Sequence, residues 1–240
     1  MEPARAAAAH VSTIIKVGNN TAIYRAGPAT ARVGLLAFPD IFGLDSGRTK
    51  QDADALGELG YAVAFVDLAD GEYMYDGWDM AAWKLKQDYA SVLLPRIHDV
   101  ITHLKEDAKV ETIACYGYCW GAWVGARLSA EEGPLVKGHV SFHPSWRAET
   151  SLEGEDGIPK LAKRIKVPQL LLSAENEIEE VKEGGCVQTI LREREDARIA
   201  TLSQHGWVNR GDLSDAKTTQ SVDKAWALAR AFLQEVTAAA

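Results

Sequence analysis

Short apolar runs alternate with longer segments of helical period along most of this chain. Several runs, such as 61–68, are apolar at nearly every position, which is typical of a parallel strand covered by helices on both faces. The predicted strands are 11–17, 21–26, 32–38, 61–68, 111–118, 136–142, 169–174 and 197–202. The predicted helices are 48–59, 80–105 with a potential break near Pro95, one that begins at 120–122, one within 179–195, and 214–236; segments 69–79 and 148–157 are predicted to be loops.

This alternation predicts an α/β fold: a mostly parallel, twisted sheet with helices on both faces. The first two strands, joined by Gly18-Asn19-Asn20, are expected to form an antiparallel hairpin at an edge of the sheet. No repeat or linker interrupts residues 1–240, and a chain of 240 residues is within the range of one α/β domain. We therefore predict a single domain.

The segment 112–122 has the form of a nucleophile elbow, in which a strand, a sharp turn and a helix follow one another. Its centre is Gly117-Tyr118-Cys119-Trp120-Gly121, with Cys119 at the apex. Glycines two residues before and after the apex let the turn approach its own strand and helix, where a Cβ atom would collide. The pattern predicts a cysteine nucleophile, and the helix that begins at Trp120 would favour the thiolate form.

The residues downstream supply an acid and then a histidine, which is the chain order of an α/β-hydrolase triad. Glu177 follows the strand 169–174, and His205 follows the strand 197–202. An imidazole can take the proton of a thiol whose ordinary pKa is about 8.5, and a carboxylate can orient that imidazole. Because carboxyl ends of parallel strands form the ligand site in such sheets, these side chains are expected to meet there.

Other residues compete for two of these roles. Glu175 and Glu179 lie as close to the strand end as Glu177 does, so the identity of the acid stays open at this point. His143 also follows a strand, but it precedes every candidate acid and is interpreted as a structural or pocket-lining residue. Cys115, in the middle of a strand, is interpreted as a core residue.

Charge and cysteine content exclude several other classes of protein. The formal net charge is −8 and no Lys/Arg cluster is present, which argues against a nucleic-acid partner. Three cysteines without a C-x-x-C pair indicate neither a disulfide framework nor a zinc site. Segment 1–10 has no apolar signal-peptide core and no run could span a membrane, so we predict a cytoplasmic protein without membrane attachment.

With these motifs in place, the chain resembles the dienelactone hydrolase family over most of residues 32–235. The resemblance rests on Pro39-Asp40-Ile41-Phe42-Gly43, on the elbow around Cys119, on the strand end 173–177 and on His205-Gly206-Trp207. It implies an α/β-hydrolase fold and a cofactor-independent, metal-free enzyme that opens a lactone or cleaves an ester through a thiol ester.

The resemblance also implies roles for individual residues. Cys119 would be the nucleophile, His205 the base and Glu177 the orienting carboxylate, although the family usually has Asp at the third position. The backbone N–H groups of Trp120 and Ile41 would form the oxyanion hole. Asp40 matches an acidic residue that contacts the resting thiol in the family and helps to activate it.

The residues expected to bind substrate depart from the family pattern. The bacterial enzyme that opens dienelactone holds the substrate carboxylate with two arginines; Arg210 could serve as one, but segment 69–79 contains no arginine for the other. A less charged ester or lactone is therefore expected, in a pocket to which Tyr73, Tyr75, Trp207 and His143 are candidates to contribute.

The sequence thus predicts a dienelactone hydrolase-like hydrolase of a small-molecule ester or lactone. Two alternatives remain: a related hydrolase of thioesters, or a non-catalytic binder of small molecules on the same fold. The oligomeric state is not indicated by the sequence.

Overall fold

The computed structural model describes residues 12–75, 77–192 and 197–238. Its strands form one eight-stranded sheet with the order β1-β2-β4-β3-β5-β6-β7-β8. All neighbouring strands from β4 to β8 are parallel, whereas β2 is antiparallel to both β1 and β4. The strands are β1 Thr13–Val17, β2 Thr21–Ala26, β3 Val33–Phe38, β4 Ala62–Val66, β5 Thr112–Tyr118, β6 His139–Phe142, β7 Gln169–Ser173 and β8 Ala197–Thr201.

Helices cover both faces of this sheet. They are α1 Thr49–Glu58, α2 Met80–Lys86, α3 Leu94–Thr102, α4 Trp120–Leu128, α5 Arg147–Glu153, α6 Gly157–Arg164, α7 Cys186–Arg192, α8 Trp207–Arg210 and α9 Ala216–Ala238. Alternate residues of β5 point to opposite faces: Ile113 and Cys115 pack into a cluster with α3, α4, α6 and α7, whereas Tyr116 and Tyr118 pack with α1 and α9. The predicted α/β class, a mostly parallel sheet with helices on both faces, is confirmed.

The predicted edge hairpin is also confirmed. β1 and β2 pair in antiparallel register from Thr13↔Arg25 to Val17↔Thr21, and β1 is the outermost strand. The connecting turn requires positive φ at Gly18 (50°) and Asn20 (76°), residue types that tolerate it. Val11 of the predicted strand, segment 1–10, Asp76 of the predicted loop and residues 193–195 of the predicted helix lie outside the described residues.

The predicted helix 80–105 breaks earlier than expected. α2 ends at Lys86, and the next helix starts after Asp88, whose carboxylate accepts a hydrogen bond from the backbone N–H of Ser91 at 2.8 Å. Pro95 lies in the first turn of α3, where a missing N–H is tolerated, so the prediction of a break there was wrong. Single π-helical turns, Tyr89–Leu93 and His103–Asp107, flank α3 on either side.

The predicted loop 148–157 was wrong as well. Most of this segment belongs to α5, and α6 begins at its end. The acidic, glycine-containing composition of the segment suggested a solvent-exposed loop, but one of its acidic residues holds α5 in place. Glu149 is fully buried, and its carboxylate accepts hydrogen bonds from Trp123 at 2.8 Å and from Arg127 at 2.8 and 3.0 Å.

The fold brings the predicted chemical residues to one end of the sheet. β3, β5, β6, β7 and β8 run parallel, and their carboxyl ends are followed by Asp40, Cys119, His143, Glu177 and His205 respectively. Within the described ranges, no helix is long and apolar enough to cross a membrane.

Candidate active site

Cys119 stands in a strained backbone conformation between the end of β5 and the start of α4. Its φ is 53° and its ψ is −112°. A residue with a Cβ atom adopts these backbone angles only when its surroundings enforce them. Its carbonyl accepts hydrogen bonds from the backbone N–H groups of Ala122 at 3.2 Å and Ser145 at 3.0 Å. These contacts hold the thiol at the carboxyl end of the central strand.

The two glycines around Cys119 are required by close backbone contacts. A Cβ atom on Gly117 would lie 2.4 Å from the carbonyl carbon and oxygen of Gly121. A Cβ atom on Gly121 would lie 2.4 Å from the carbonyl oxygens of Phe38 and Pro39. The turn therefore presses against its own helix and against the loop after β3, as the sequence pattern predicts for an elbow.

His205 and Glu177 lie together beside this elbow. Nδ1 of His205 is hydrogen-bonded to a carboxylate oxygen of Glu177, and the backbone N–H of His205 donates to the side chain of Asn176 at 2.8 Å. The Glu177 side chain is only 9% exposed, which shields its charge from water. The three residues predicted from chain order are thus brought into one site.

The other two candidate acids point elsewhere. The Glu175 carboxylate accepts a hydrogen bond from Gln204 at 2.9 Å. Glu179 pairs with Lys182 at 2.5 Å and is 86% exposed. Of the three glutamates left open by the sequence, Glu177 is the one whose carboxylate contacts the imidazole.

Two neighbours favour the charged form of the His205 imidazole. Burial disfavours the imidazolium, but hydrogen bonds to Cys119 and Glu177, together with the negative charges of both, outweigh burial and raise the pKa of His205 to about 10. The histidine is therefore poised to take a proton from the thiol and to keep it.

Ser145 is a contact of the thiol that the sequence analysis missed. Its hydroxyl lies 3.2 Å from the Cys119 sulfur. Ser145 follows His143 and Pro144 after the end of β6, so its position after a strand was a usable signal. Its contact with the sulfur depends on how the loop after β6 folds back onto the elbow.

His143 packs against His205 but stays neutral. The two rings are 4.8 Å apart at an interplanar angle of 63°, and Nε2 of His143 is hydrogen-bonded to the side-chain oxygen of Asn209 at 3.2 Å. Burial, and after it the positive charges of His205 and Arg210, hold the pKa of His143 well below its ordinary value. His143 thus buttresses the His205 ring from the protein interior.

The carboxylate of Asp40 is fully buried and holds two loops together. It accepts hydrogen bonds from the backbone N–H of Phe42 at 2.9 Å, the hydroxyl of Ser46 at 2.6 Å and the amide of Asn209 at 3.0 Å, and it pairs with Arg210 at 3.2 Å. These contacts join the loop after β3 to α8. The contact with the resting thiol that the resemblance implies is not one of them, and Asp40 stays a prediction as an activator of the thiol.

The predicted oxyanion-hole residues lie in adjacent segments. Trp120 is the first residue of α4, so its N–H belongs to the helix N-terminus, where such groups lack intrahelical partners. Ile41 lies in the loop after β3 that Gly121 touches through Phe38 and Pro39, and its carbonyl accepts from Met74 at 2.8 Å. The oxyanion-hole role of the two N–H groups stays a prediction.

The residues predicted to bind substrate are mostly engaged in packing. Arg210 pairs with Asp40, and its guanidinium lies 4.7 Å from the centre of the Phe42 ring. Trp207 is buried in the cluster beneath α9, and the Tyr73 ring packs against Gly43. Tyr75 is 65% exposed and lies 5.1 Å from the ring of Trp78.

No group of three or more His, Cys, Asp or Glu side chains within the described ranges is arranged to hold a metal ion.

Comparison with known proteins gives the same assignment over most of the chain. The model of the dienelactone hydrolase family matches residues 21–237. The chain is 27% identical to dienlactone hydrolase 1 of Gibberella moniliformis over 192 residues, covering 75% of this chain and 70% of that protein. It is 24% identical to the human carboxymethylenebutenolidase homolog over 204 residues, covering 82% and 79% of the two chains.

Solved structures agree in fold. The crystal structure of a dienelactone hydrolase-like promiscuous phosphotriesterase from metagenomic libraries superposes with a TM-score of 0.70 at 19% identity, covering 95% of this chain and 99% of that one. With an elbow cysteine, a histidine and a glutamate at the carboxyl ends of three parallel strands, and with 21–237 matched by the family model, the chain belongs to the dienelactone hydrolase family and is a hydrolase of that type.

Proposed function

We propose that this enzyme hydrolyses a small ester or lactone through a thiol ester on Cys119. The observation that carries the proposal is the His205–Glu177 hydrogen bond beside a cysteine held at a strained elbow. In the resting pair His205 already holds the thiol proton, and in the first step the Cys119 thiolate attacks the carbonyl carbon. The backbone N–H groups of Trp120 and Ile41 would stabilise the oxyanion that forms.

The collapse of this tetrahedral intermediate forms the thiol ester and expels the alcohol. His205 gives its proton to the departing alkoxide; in a lactone the alkoxide stays attached to the acyl group. The imidazole then lacks the thiolate that had favoured its charged form, while burial still opposes that charge and only Glu177 supports it. A neutral imidazole is the form needed to take a proton from water in the second step.

Hydrolysis of the thiol ester completes the cycle. Water attacks the acyl carbon as His205 accepts one of its protons, and the sulfur leaves as thiolate. The acid product departs, and the thiolate beside the imidazolium restores the starting pair. Ser145, 3.2 Å from the sulfur, is placed to donate a hydrogen bond to the thiolate at the beginning and end of the cycle.

A positioning role for Asp40 also follows from its contacts. By binding Phe42, Ser46, Asn209 and Arg210, the carboxylate fixes the loop that carries Ile41. Activation of the thiol by Asp40 would require the carboxylate to leave these partners when substrate binds. Arg210, once released, would be free to contact a substrate.

The test is hydrolysis of a panel of p-nitrophenyl esters by the wild type and by the Cys119→Ala and His205→Ala variants. Both variants should lose activity. Intact-mass spectrometry of the wild type should show an acyl adduct, and mass spectrometry after digestion should locate it on the Cys119 peptide. Cys186→Ala is the matched control, because that half-buried thiol lies on α7, away from the elbow.

The outcomes separate the alternatives. Equal activity in the wild type, Cys119→Ala and His205→Ala would refute the triad. A wild type that binds an ester analogue but turns over none of the panel would identify a non-catalytic binder. Faster hydrolysis of acyl thioesters than of the matching oxygen esters would identify a thioesterase.

A further inference from the structure

An apolar groove lies among α2, α4 and α5, and Trp120, the residue after Cys119, forms part of its wall. Its volume is about 510 Å³, within the range of small-molecule sites. Its apolar lining includes Ala81, Leu85, Trp120, Trp123, Ala148 and Leu152. None of the residues that the sequence suggested for substrate binding belongs to this set.

Two connections tie the groove to the reacting sulfur. On one side, Trp120 directly follows Cys119, so the two Cα atoms are about 3.8 Å apart, and the Trp120 ring also packs on Trp83 at 4.9 Å. On the other side, Ser145 contacts the sulfur at 3.2 Å, and Ala148 of the groove lies on the first turn of the helix that follows. Cys119 also packs in the same hydrophobic cluster as the groove residues Trp120, Trp123 and Tyr89.

The lining identifies the chemistry of the ligand. Two leucines of the groove are unusually exposed, Leu85 at 83% and Leu152 at 59%, and the largely buried Trp120 and Trp123 also belong to its lining. The two charged residues of the groove, Lys84 and Asp88, have opposite signs and cancel. An ionised acyl group would find no pair of cations here, whereas an aliphatic or aromatic group would be removed from water.

Two buried polar atoms of this apolar surface, the hydroxyl oxygen of Tyr89 and Oε1 of Gln87, have no hydrogen-bond partner among the described residues. The side chain of Gln87 is buried, and its Oε1 atom is an acceptor. Buried acceptors of this kind are costly unless something satisfies them. A hydrogen-bond donor on the ligand would do so.

We infer that this groove binds the apolar tail of an uncharged ester, an aliphatic or aromatic group that carries one hydrogen-bond donor such as a hydroxyl. The inference rests on the proposed function, because it places the ester carbonyl at Cys119. It gives the enzyme a preference for long or aryl esters over acetate, and for hydroxylated tails over plain ones.

The decisive experiment fills the groove from its α2 wall. Ala81 lines the groove, whereas the next residue, Ala82, is equally exposed but lines a different surface. We compare Ala81→Phe with Ala82→Phe on p-nitrophenyl esters from acetate to octanoate and on acetates of short and long alcohols. Ala81→Phe should lower kcat/KM for the long substrates of at least one series by about tenfold or more, because each methylene in an apolar pocket is worth about tenfold or more. The kcat/KM for the short substrates should stay within about twofold of the wild-type value.

The same assays test the control variant Ala82→Phe and the predicted hydrogen-bond donor on the substrate. Ala82→Phe should behave as the wild type on all substrates. The wild type should prefer the p-nitrophenyl ester of 4-hydroxyphenylacetic acid to that of phenylacetic acid, and Gln87→Leu should abolish this preference. Equal rates with the two esters would overturn the assignment of a donor.

A binding measurement separates this inference from the proposed function. Titration with 2-octanone is followed by the intrinsic tryptophan fluorescence, to which Trp120 and Trp123 of the groove contribute. Binding should saturate in the wild type and in Ala82→Phe and should be weaker in Ala81→Phe. Binding without turnover of any ester would support the groove and refute the hydrolase mechanism. Turnover with no dependence on tail length, and no effect of Ala81→Phe on either measurement, would overturn the groove and leave the mechanism intact.

Discussion

The hydroxyl of Ser145 lies 3.2 Å from the sulfur of Cys119, and the backbone N–H of Ser145 donates to the Cys119 carbonyl at 3.0 Å. The loop after β6 therefore contacts both the side chain and the backbone of the nucleophile. A hydroxyl beside a thiolate can donate a hydrogen bond to it, and hydrogen bonds to charged groups are worth about 1.5–3 kcal/mol.

Replacement of Ser145 by Ala should therefore make the thiol less reactive at neutral pH. We expect the rate of alkylation of Cys119 by iodoacetamide at pH 7 to fall by about tenfold, the equivalent of about 1.4 kcal/mol. The rate is measured by mass spectrometry of the Cys119 peptide, so the result does not depend on knowing the substrate.

Two comparisons control this prediction. Ser145→Thr keeps the hydroxyl and should restore most of the rate. Cys186, a half-buried thiol on α7, serves as an internal reference whose alkylation should be the same in all variants. An unchanged rate at Cys119 in Ser145→Ala would show that the hydroxyl only fills space.

The contact between Glu177 and His205 makes a second prediction. Glu177→Gln keeps an oxygen for the imidazole N–H but removes the charge that supports the imidazolium, so ester hydrolysis should fall by about 100-fold or more. Glu175→Gln is the matched control, because Glu175 accepts from Gln204 rather than from the imidazole. A loss confined to Glu175→Gln would move the triad acid to that residue.

The Ser145–Cys119 and Glu177–His205 contacts illustrate which parts of the active site could be predicted from the sequence. Cys119, His205 and a group of three candidate glutamates could be named because each follows a strand of a parallel sheet, and such strands end at one edge. The choice among Glu175, Glu177 and Glu179 could not be made, because it depends on the direction of each side chain in one short loop. Ser145 contacts the sulfur through a loop whose path has no local signature.

The same distinction applies to the fold. The apolar strands were evident because burial on both faces leaves an uninterrupted hydrophobic run. α6 was missed although Ile158, Leu161 and Ala162 are buried with helical spacing, a pattern that was available. α5 was harder to detect, because the residue that holds it against the protein is a charged one, Glu149. The partners of Glu149, Trp123 and Arg127, lie on another helix.

A third prediction concerns Asp52 on α1, which lies under the active-site strand. Its carboxylate accepts a hydrogen bond from the hydroxyl of Tyr118 at 2.8 Å. Burial raises the pKa of Asp52 to about 7, against smaller opposing effects of Tyr118 and the Arg48 charge. In the unfolded chain an aspartate has a pKa of about 3.9, so between about pH 4 and pH 7 the native state binds more protons than the unfolded state.

Stability should therefore fall as the pH rises through this window, because the half-buried carboxyl is forced to ionise. Asp52→Asn keeps an acceptor for Tyr118 and removes that cost. The variant should be more stable than the wild type at pH 8, by about 4 kcal/mol at most, with no advantage near pH 4. Urea unfolding at the two pH values measures the difference.

Asp45→Asn is the control for this prediction, because the Asp45 side chain is 85% exposed. It should shift stability little at either pH. An equal effect of Asp52→Asn at pH 4 and pH 8 would mean that ionisation of the carboxyl is not the cause.

The last prediction sets helix propensity against a steric contact in α4. In an exposed helix, replacing Gly by Ala stabilises by about 1 kcal/mol. At Gly125, however, the new Cβ atom would lie 2.2 Å from Nε2 of His139, a buried ring on β6 that is tied to Gln169 at 2.9 Å. The ring cannot withdraw without losing this hydrogen bond, so Gly125→Ala should lower the free energy of unfolding by about 2 kcal/mol or more. A double-mutant cycle isolates the contact: in a His139→Ala background the ring is gone, and Gly125→Ala should cost much less or stabilise. Equal costs in the two backgrounds, measured by urea unfolding, would show that α4 can shift away from β6 and that its position behind Cys119 is not fixed by this contact.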